Sequence, residues 1–67
     1  MAPREQMAAK LKALRARQGL TQEQLAEKSG VSRTYLARLE TGRQDPTLST
    51  LEKLAKALGV KAGRLLE

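Results

Sequence analysis

The placement of the glycines constrains the fold of this chain more than any other feature. Four of its five glycines stand where a helical pattern should end, in "RQGL", "KSGV", "ETGR" and "ALGV". Gly19, Gly30 and Gly59 are each followed by an aliphatic residue, as when a left-handed glycine ends a helix and the next side chain folds back on the last turn. Gly42 is followed by Arg43, so we predict a polar exit there. The chain is therefore divided into short helices.

Helix start signals follow these stop signals closely. Thr21 is a predicted N-cap with Gln24 three residues later, which forms a capping box, and Ser32 and Thr47 are predicted N-caps of the next two helices. Ala, Leu, Glu, Gln, Lys and Arg dominate and isoleucine is absent, which is a helical composition. We predict helices over 5–18, 22–29, 33–41 and 48–58, a short and poorly capped turn over 62–66, and a disordered segment over 1–4.

Apolar residues recur at helical spacing and predict a single core. With a length of 67 residues, one domain over 1–67 is expected. The predicted fold class is all-α, a compact domain of four to five helices. The predicted core residues are Met7, Leu11, Leu14, Leu25, Ala26, Leu36, Leu39, Leu48, Leu51, Leu54, Ala55, Leu58, Val60, Leu65 and Leu66.

The composition argues against catalysis and metal binding. The chain has no Cys, His, Trp or Phe, so zinc and iron sites lose their usual ligands and catalytic triads that need histidine are impossible. The few carboxylates are scattered singly, and no Gly-rich phosphate loop is present. We expect no enzyme, no catalytic residue, no metal, no cofactor and no small-molecule ligand.

The net charge of +6 and the isoelectric point of about 10.4 favour a polyanionic partner. Excess lysine for solubility is the alternative explanation. A cationic amphipathic membrane binder is disfavoured, because the apolar residues fill a core and no Trp or Phe is available for the interface. The N-terminus lacks an apolar signal region, and no run approaches ~20 apolar residues. We expect a cytoplasmic, nucleoid-associated protein without a membrane segment.

Two short helices joined by the turn "AEKSGVSR" form the motif most relevant to function. Ala26 is small where the second helix must approach the third, and Gly30 turns the chain. Leu36 and Leu39 pack the corner. A helix pair at about a right angle with a short glycine-containing turn is the geometry of the DNA-binding helix-turn-helix. We predict this motif over 22–41.

Three longer patterns carry a family resemblance. These are "R-x-x-x-G-L-T-Q-E-x-L-A", "G-V-S-x-x-Y-L-x-x-L-E-x-G" and "P-x-L-x-x-L-x-x-L-A-x-A-L-G-V", and together they cover about residues 10–60. In them the chain resembles the phage-repressor/Cro-type (XRE-like) helix-turn-helix family. The resemblance implies a lambda-repressor-like domain of five helices that binds double-stranded DNA and regulates transcription as a repressor does, often as a dimer on a palindromic operator.

A helical wheel for the third helix, with Leu36 and Leu39 inward, separates two kinds of predicted DNA contact. The outer face would enter the major groove with its N-terminal end first. The predicted contacts to base edges are Arg33, Thr34, Ala37 and Arg38.

The predicted phosphate contacts border that face. Gln22 is included because the family's glutamine at this position touches phosphate and can brace the recognition helix, and because a helix N-terminus favours anions. Tyr35 also has a half-buried packing role as an alternative. The predicted phosphate contacts are Gln22, Ser32, Tyr35, Thr41 and Arg43.

Glu40 lies on the flank nearest the core, where it does not face DNA. In the family a first-helix arginine pairs with this glutamate, and Arg15 matches that position. The resemblance therefore implies a structural ion pair between Arg15 and Glu40 that sets the pitch of the recognition helix.

Two questions stay open at the level of sequence. Leu65 and Leu66 either form a homodimer contact across a two-fold axis or cover the core, and Lys61 and Gly63 weaken the last turn. The second function considered is a protein-interaction module, either a transcription coactivator or an antitoxin component. An antitoxin would need an additional toxin-binding segment, for which we expect little room in this chain.

Overall fold

The computed structural model describes residues 3–66, which fold into five helices without a strand. This confirms the predicted all-α class. The helices are α1 (Pro3–Arg17), α2 (Gln22–Ser29), α3 (Arg33–Glu40), α4 (Leu48–Leu58) and α5 (Gly63–Leu66).

All three predicted N-caps are present. Thr21 accepts a hydrogen bond from the Gln24 amide at 3.0 Å, and the Gln24 side chain accepts one from the Thr21 amide at 2.9 Å, which completes the capping box. Ser32 caps α3 and Thr47 caps α4 through the same contact with the amide three residues on. These side chains satisfy helix N–H groups that have no partner within the helix, and so fix where α2, α3 and α4 begin.

The four predicted helix-ending glycines also adopt the left-handed conformation, with φ between 70° and 79°. Gly42 shows why a glycine is required. Its φ of +75° lies in the left-handed region that L side chains rarely adopt, whereas an added Cβ would make only an ordinary contact, at 3.4 Å, with Cγ of Glu5 in α1. The turn after α3 therefore packs closely against the start of α1.

The first helix begins earlier than predicted. The disordered segment was predicted over 1–4, but Pro3 and Arg4 belong to α1, whereas residues 1 and 2 lie outside the described residues. Proline suits the first position of a helix, since its missing N–H would have no helical partner and its φ is already helical. The Arg4 guanidinium also lies 3.6 Å from the Asp45 carboxylate, which links this end to the α3–α4 connection.

The predicted core is largely confirmed, with two corrections. Leu48 and Leu66 were expected inside but are 66% and 62% exposed. Leu48 is the first residue of α4, and helical side chains tilt towards the N-terminus, so it points past the end of the helix. Leu66 follows Leu65, which faces inward, and is therefore turned away from the core. The side chains buried in the core are Met7, Ala8, Leu11, Leu14, Leu25, Ala26, Leu36, Leu39, Leu51, Leu54, Ala55, Ala57, Leu58 and Leu65.

The helices pack so that α3 is supported from two sides. α1 contacts α3 and α5, while α2 contacts α3 and α4. The helix-turn-helix pair thus rests on α1 and α4, and one face of α3 is left uncovered. Over residues 3–66, each helix is too short or too polar to cross a bilayer.

Candidate nucleic-acid interface

An open concave surface lies between the start of α2 and the outer face of α3. It is formed by side chains from α2, from α3 and from the turn that follows α3. We call it the recognition surface, and its residues are Gln22, Arg33, Thr34, Ala37, Arg38, Thr41 and Arg43.

The burial of α3 explains why its outer face is free. Leu36 and Leu39 are completely buried and face the core. Because successive residues of a helix are rotated by 100°, the opposite side of α3 then faces away from the core. Arg33, Thr34 and Arg38 are exposed, and Ala37 between them is half-buried. The structure brings all four residues predicted to touch bases together on the recognition surface.

Three of the five residues predicted to touch phosphate also line this surface. Gln22 lies at the first position of α2, and its side-chain amide donates to the Glu40 carboxylate at 3.1 Å. Thr41 donates its hydroxyl to the Arg38 carbonyl at 3.0 Å, which anchors it at the end of α3. Arg43 follows on the turn and is exposed. These groups border the face that carries Arg38.

The other two residues predicted to touch phosphate, Ser32 and Tyr35, lie outside the recognition surface. The Ser32 hydroxyl accepts the Tyr35 amide at 3.0 Å as the cap of α3. The Tyr35 hydroxyl donates to the Asp45 carbonyl at 3.4 Å, and its half-buried ring packs against the core. Tyr35 therefore has the packing role that the sequence offered as an alternative.

Arg15 and Glu40 form a two-point contact beneath the recognition surface. Nε and Nη2 of Arg15 donate to the two carboxylate oxygens of Glu40 at 2.7 and 2.9 Å. Nη1 of Arg15 donates to the Leu20 carbonyl at 2.7 Å. The Glu40 side chain is only 2% exposed, and it also accepts the bond from Gln22. The Glu40 carboxylate thus joins the end of α3 to α1 and α2, and Arg15 also holds the loop before α2.

This network keeps Arg15 charged. The hydrogen bond to Glu40 raises the pKa of the Arg15 guanidinium, burial lowers it, and the negative charge of Glu40 raises it further, so that the pKa lies above its ordinary value. Charge-assisted forks of this kind are among the stronger hydrogen bonds in proteins. The contact fixes the end of α3 relative to α1.

Glu23 lies beside the recognition surface and was not among the residues predicted from the sequence. Its carboxylate is 3.5 Å from Nη1 of Arg33, and both side chains are mostly exposed. The sequence feature that could have identified Glu23 is its position next to Gln22 in the first turn of α2. Locating the contact required the angle between α2 and α3.

A family comparison agrees with this geometry. The helix-turn-helix family model HTH_3 matches residues 11–65 of the chain. The chain belongs to the helix-turn-helix family. This confirms the resemblance inferred from its three sequence patterns, because the matched segment contains the motif and the helices that support it.

Individual regulatory proteins are similar to this chain over most of its length. It is 49% identical over 57 residues to the immunity repressor protein of Bacillus phage phi105, a match that covers 85% of this chain and 40% of that repressor. The restriction-modification controller protein C.AhdI of Aeromonas hydrophila superimposes with a TM-score of 0.93 at 35% identity, covering 97% of this chain and 98% of that one.

A third helix-turn-helix protein has been solved in complex with DNA. It is SinR of Bacillus subtilis, the master regulator for biofilm formation. It superimposes with a TM-score of 0.88 at 34% identity, and the match covers 91% of this chain and 98% of that one. The proteins that the chain resembles here are regulators, not enzymes.

Proposed function

We propose that this protein regulates transcription, in the manner of a repressor, by binding specific sites in double-stranded DNA. The observation that carries the proposal is the recognition surface, which every predicted base-contacting residue and three predicted phosphate-contacting residues line together. The exposed outer face of α3 suits the insertion of this helix into the major groove. A protein of this kind would act in the cytoplasm, at the nucleoid.

The exposed side chains of α3 supply the chemistry of base reading. Arg33 and Arg38 present guanidinium groups that suit the two acceptors of guanine, each good pair discriminating by about 1–3 kcal/mol. Thr34 can bond either a donor or an acceptor, and the methyl group of Ala37 fits against a thymine methyl. The order of these residues places Arg33 at the deepest, N-terminal end of the inserted helix.

Residues at the edges of the recognition surface supply affinity without sequence information. Gln22 opens α2, where free N–H groups and the positive end of the helix dipole attract a phosphate. Thr41 and Arg43 follow α3 and line the same surface. Phosphate contacts from these residues would fix the register of the inserted helix on the duplex.

The buried network beneath the surface gives α3 its orientation. Glu40 is the last residue of α3, and it is held by two hydrogen bonds from Arg15 and one from Gln22. Gln22 thereby couples a phosphate-facing helix end to the recognition helix. We assign the Arg15–Glu40 pair a positioning role: it sets the angle at which Arg33 and Arg38 approach the bases.

A homodimer on a palindromic operator completes the proposal. Leu65 is buried and covers the core, whereas Leu66 is exposed beside an apolar groove. The groove is lined by Arg4, Met7, Asp45, Pro46, Leu51 and Leu66. A two-fold contact through the C-terminal segment would therefore use Leu66 rather than Leu65.

Selection of bound sites from a pool of random duplexes tests the proposal as a whole. A dimer of this kind should enrich a palindrome with half-sites about 10 bp apart. In a salt titration with random duplex, neutralisation of ~8 phosphates per dimer should give a log–log slope near −7. A flat salt response would refute DNA binding and favour the protein-interaction module.

Two arginine variants test the division of roles. Arg33→Ala should lower affinity for the selected site by about 1–3 kcal/mol and relax base choice at one position of each half-site. Arg43→Ala should weaken selected and random duplexes alike and reduce the magnitude of the salt slope by about 1 per protomer. Equal effects of both variants on both duplexes would contradict the assignment.

Sedimentation of two matched leucine variants tests the dimer. Leu66→Glu should shift the protein to monomer, because it places a charge in an apolar contact. Leu48→Glu is the control, since Leu48 is equally exposed but lies outside the groove. A parent protein that sediments as a monomer at all concentrations, or equal effects of both substitutions, would refute a contact through Leu66.

A further inference from the structure

Glu23 and Arg33 form an exposed ion pair between α2 and α3. Glu23 is the second residue of α2 and Arg33 the first residue of α3. The Glu23 carboxylate lies 3.5 Å from Nη1 of Arg33, and the two side chains are 72% and 66% exposed. An ion pair this exposed contributes little to folding. Its position beside the base-reading face indicates a different purpose.

Arg33 is placed where a cation is electrostatically unfavourable. The first turn of a helix carries the positive end of the dipole, which favours acidic side chains. The first turn of α3 contains no acidic residue. Glu23 supplies the missing negative charge from the neighbouring helix, and so holds an arginine that the dipole of α3 would otherwise repel.

The atoms used by this pair leave a complete hydrogen-bonding edge free. Glu23 contacts Nη1 of Arg33, whereas Nε and Nη2 form the other edge of the guanidinium fork. That edge can donate two parallel hydrogen bonds to O6 and N7 of a guanine. Arg33 can therefore read a base while it stays paired with Glu23.

We infer that Glu23 is a specificity-determining residue that directs Arg33 to base edges and opposes its use as a phosphate ligand. The inference rests on the proposed function, because it assumes that α3 enters the major groove. On a specific site Arg33 binds guanine and keeps its partner. On random DNA Arg33 would have to turn to a phosphate, which leaves the Glu23 carboxylate unpaired beside a polyanion.

The consequence is that Glu23 weakens non-specific binding more than specific binding. Removing its charge frees Arg33 to neutralise one more phosphate per protomer on random DNA. One additional neutralised phosphate changes the log–log salt slope by about −0.9, which at 0.15 M salt corresponds to an increase of about fivefold in affinity. On the selected site Arg33 is already bound to a base, so affinity there should change less than about twofold by the same reasoning.

The experiment compares Glu23→Gln with Glu27→Gln on the selected duplex and on a duplex of random sequence. Glu27 is exposed one helical turn further along α2, so its substitution removes the same charge from the same helix. Glu23→Gln should reduce the ratio of specific to random affinity about fivefold through the additional phosphate contact. Glu27→Gln should leave this ratio unchanged.

A second pair of variants shows whether the effect acts through Arg33. In an Arg33→Ala background, Glu23→Gln should have the same effect on random duplex as Glu27→Gln, because no guanidinium remains to be redirected. An equal ratio for the two single variants, or an effect of Glu23→Gln that persists without Arg33, would overturn the inference and leave DNA binding intact. Failure of the parent to select any site would overturn the proposed function as well.

Discussion

Removal of the Arg15 side chain is the perturbation whose effect on stability can be worked out most fully from the structure. Arg15→Ala deletes three hydrogen bonds, two to Glu40 and one to the Leu20 carbonyl. It leaves the Glu40 carboxylate, which is 2% exposed, with Gln22 as its remaining side-chain partner. An ion pair is costly to break in this way, because the surviving charge stays buried without its counter-ion.

The expected loss is large relative to the stability of the domain. Breaking a buried pair by removing one partner costs about 3–5 kcal/mol. We expect about 3 kcal/mol, since Gln22 still donates to Glu40 and Arg15 is itself 14% exposed. A chain of 67 residues has a total stability of roughly 3–10 kcal/mol. Arg15→Ala should therefore bring the protein close to its folding threshold.

Urea unfolding followed by circular dichroism measures this loss of stability. Two further variants serve as a control and as a rescue. Arg17→Ala removes an exposed arginine from the same helix and should change stability by less than about 0.5 kcal/mol. The double replacement Arg15→Met with Glu40→Leu should recover most of the loss, because an apolar pair of similar volume avoids the uncompensated charge. An Arg15→Ala protein within about 1 kcal/mol of the parent would refute the reasoning, since that is what an exposed pair contributes.

Four further predictions concern stability. Gly42→Ala should destabilise by about 1–2 kcal/mol, because φ is +75°, in the left-handed region that L side chains rarely adopt. Gly63→Ala should stabilise by about 0.4–1 kcal/mol, because Gly63 has no positive φ and an added Cβ would lie in open space. Urea unfolding checks both predictions, since the two substitutions should shift the unfolding midpoint of the parent in opposite directions. Thr21→Ala should cost about 1 kcal/mol in the same assay through loss of the capping box. The raised pKa of Arg15 means that its contribution is complete below about pH 12 and is lost only above it. The difference in stability between the parent and Arg15→Ala should therefore be constant from pH 8 to 10.

The helix ends could be predicted from sequence because they depend on local chemistry. The capping box of Thr21 and the left-handed conformation of Gly30 are specified by a few neighbouring residues. The start of α1 and the exposure of Leu48 were not predicted correctly, because they depend on tertiary packing. Apolar periodicity identifies a face of a helix, but where the core ends along that face depends on which other helices reach it.

The site shows the same division between local and tertiary information. The outer face of α3 follows from a helical wheel, so Arg33, Thr34 and Arg38 could be placed in advance. The hydrogen bond of Tyr35 to the Asp45 carbonyl could not, because the α3–α4 connection has no periodic pattern that fixes its path. The contact of Glu23 with Arg33 depends on the angle between two helices.

The two acidic residues that touch arginines at the ends of α3 act on different parts of the same helix. Glu40 is buried at the last residue of α3, where its fork with Arg15 fixes backbone position. Glu23 is exposed and contacts the side chain of the first residue, Arg33. Breaking a buried pair is costly because it leaves an uncompensated charge, whereas an exposed pair contributes little to stability because water screens it. The domain therefore combines a firmly held α3 with an exposed arginine that can bind a base while it stays paired with Glu23. That combination allows Glu23 to alter specificity without altering the fold.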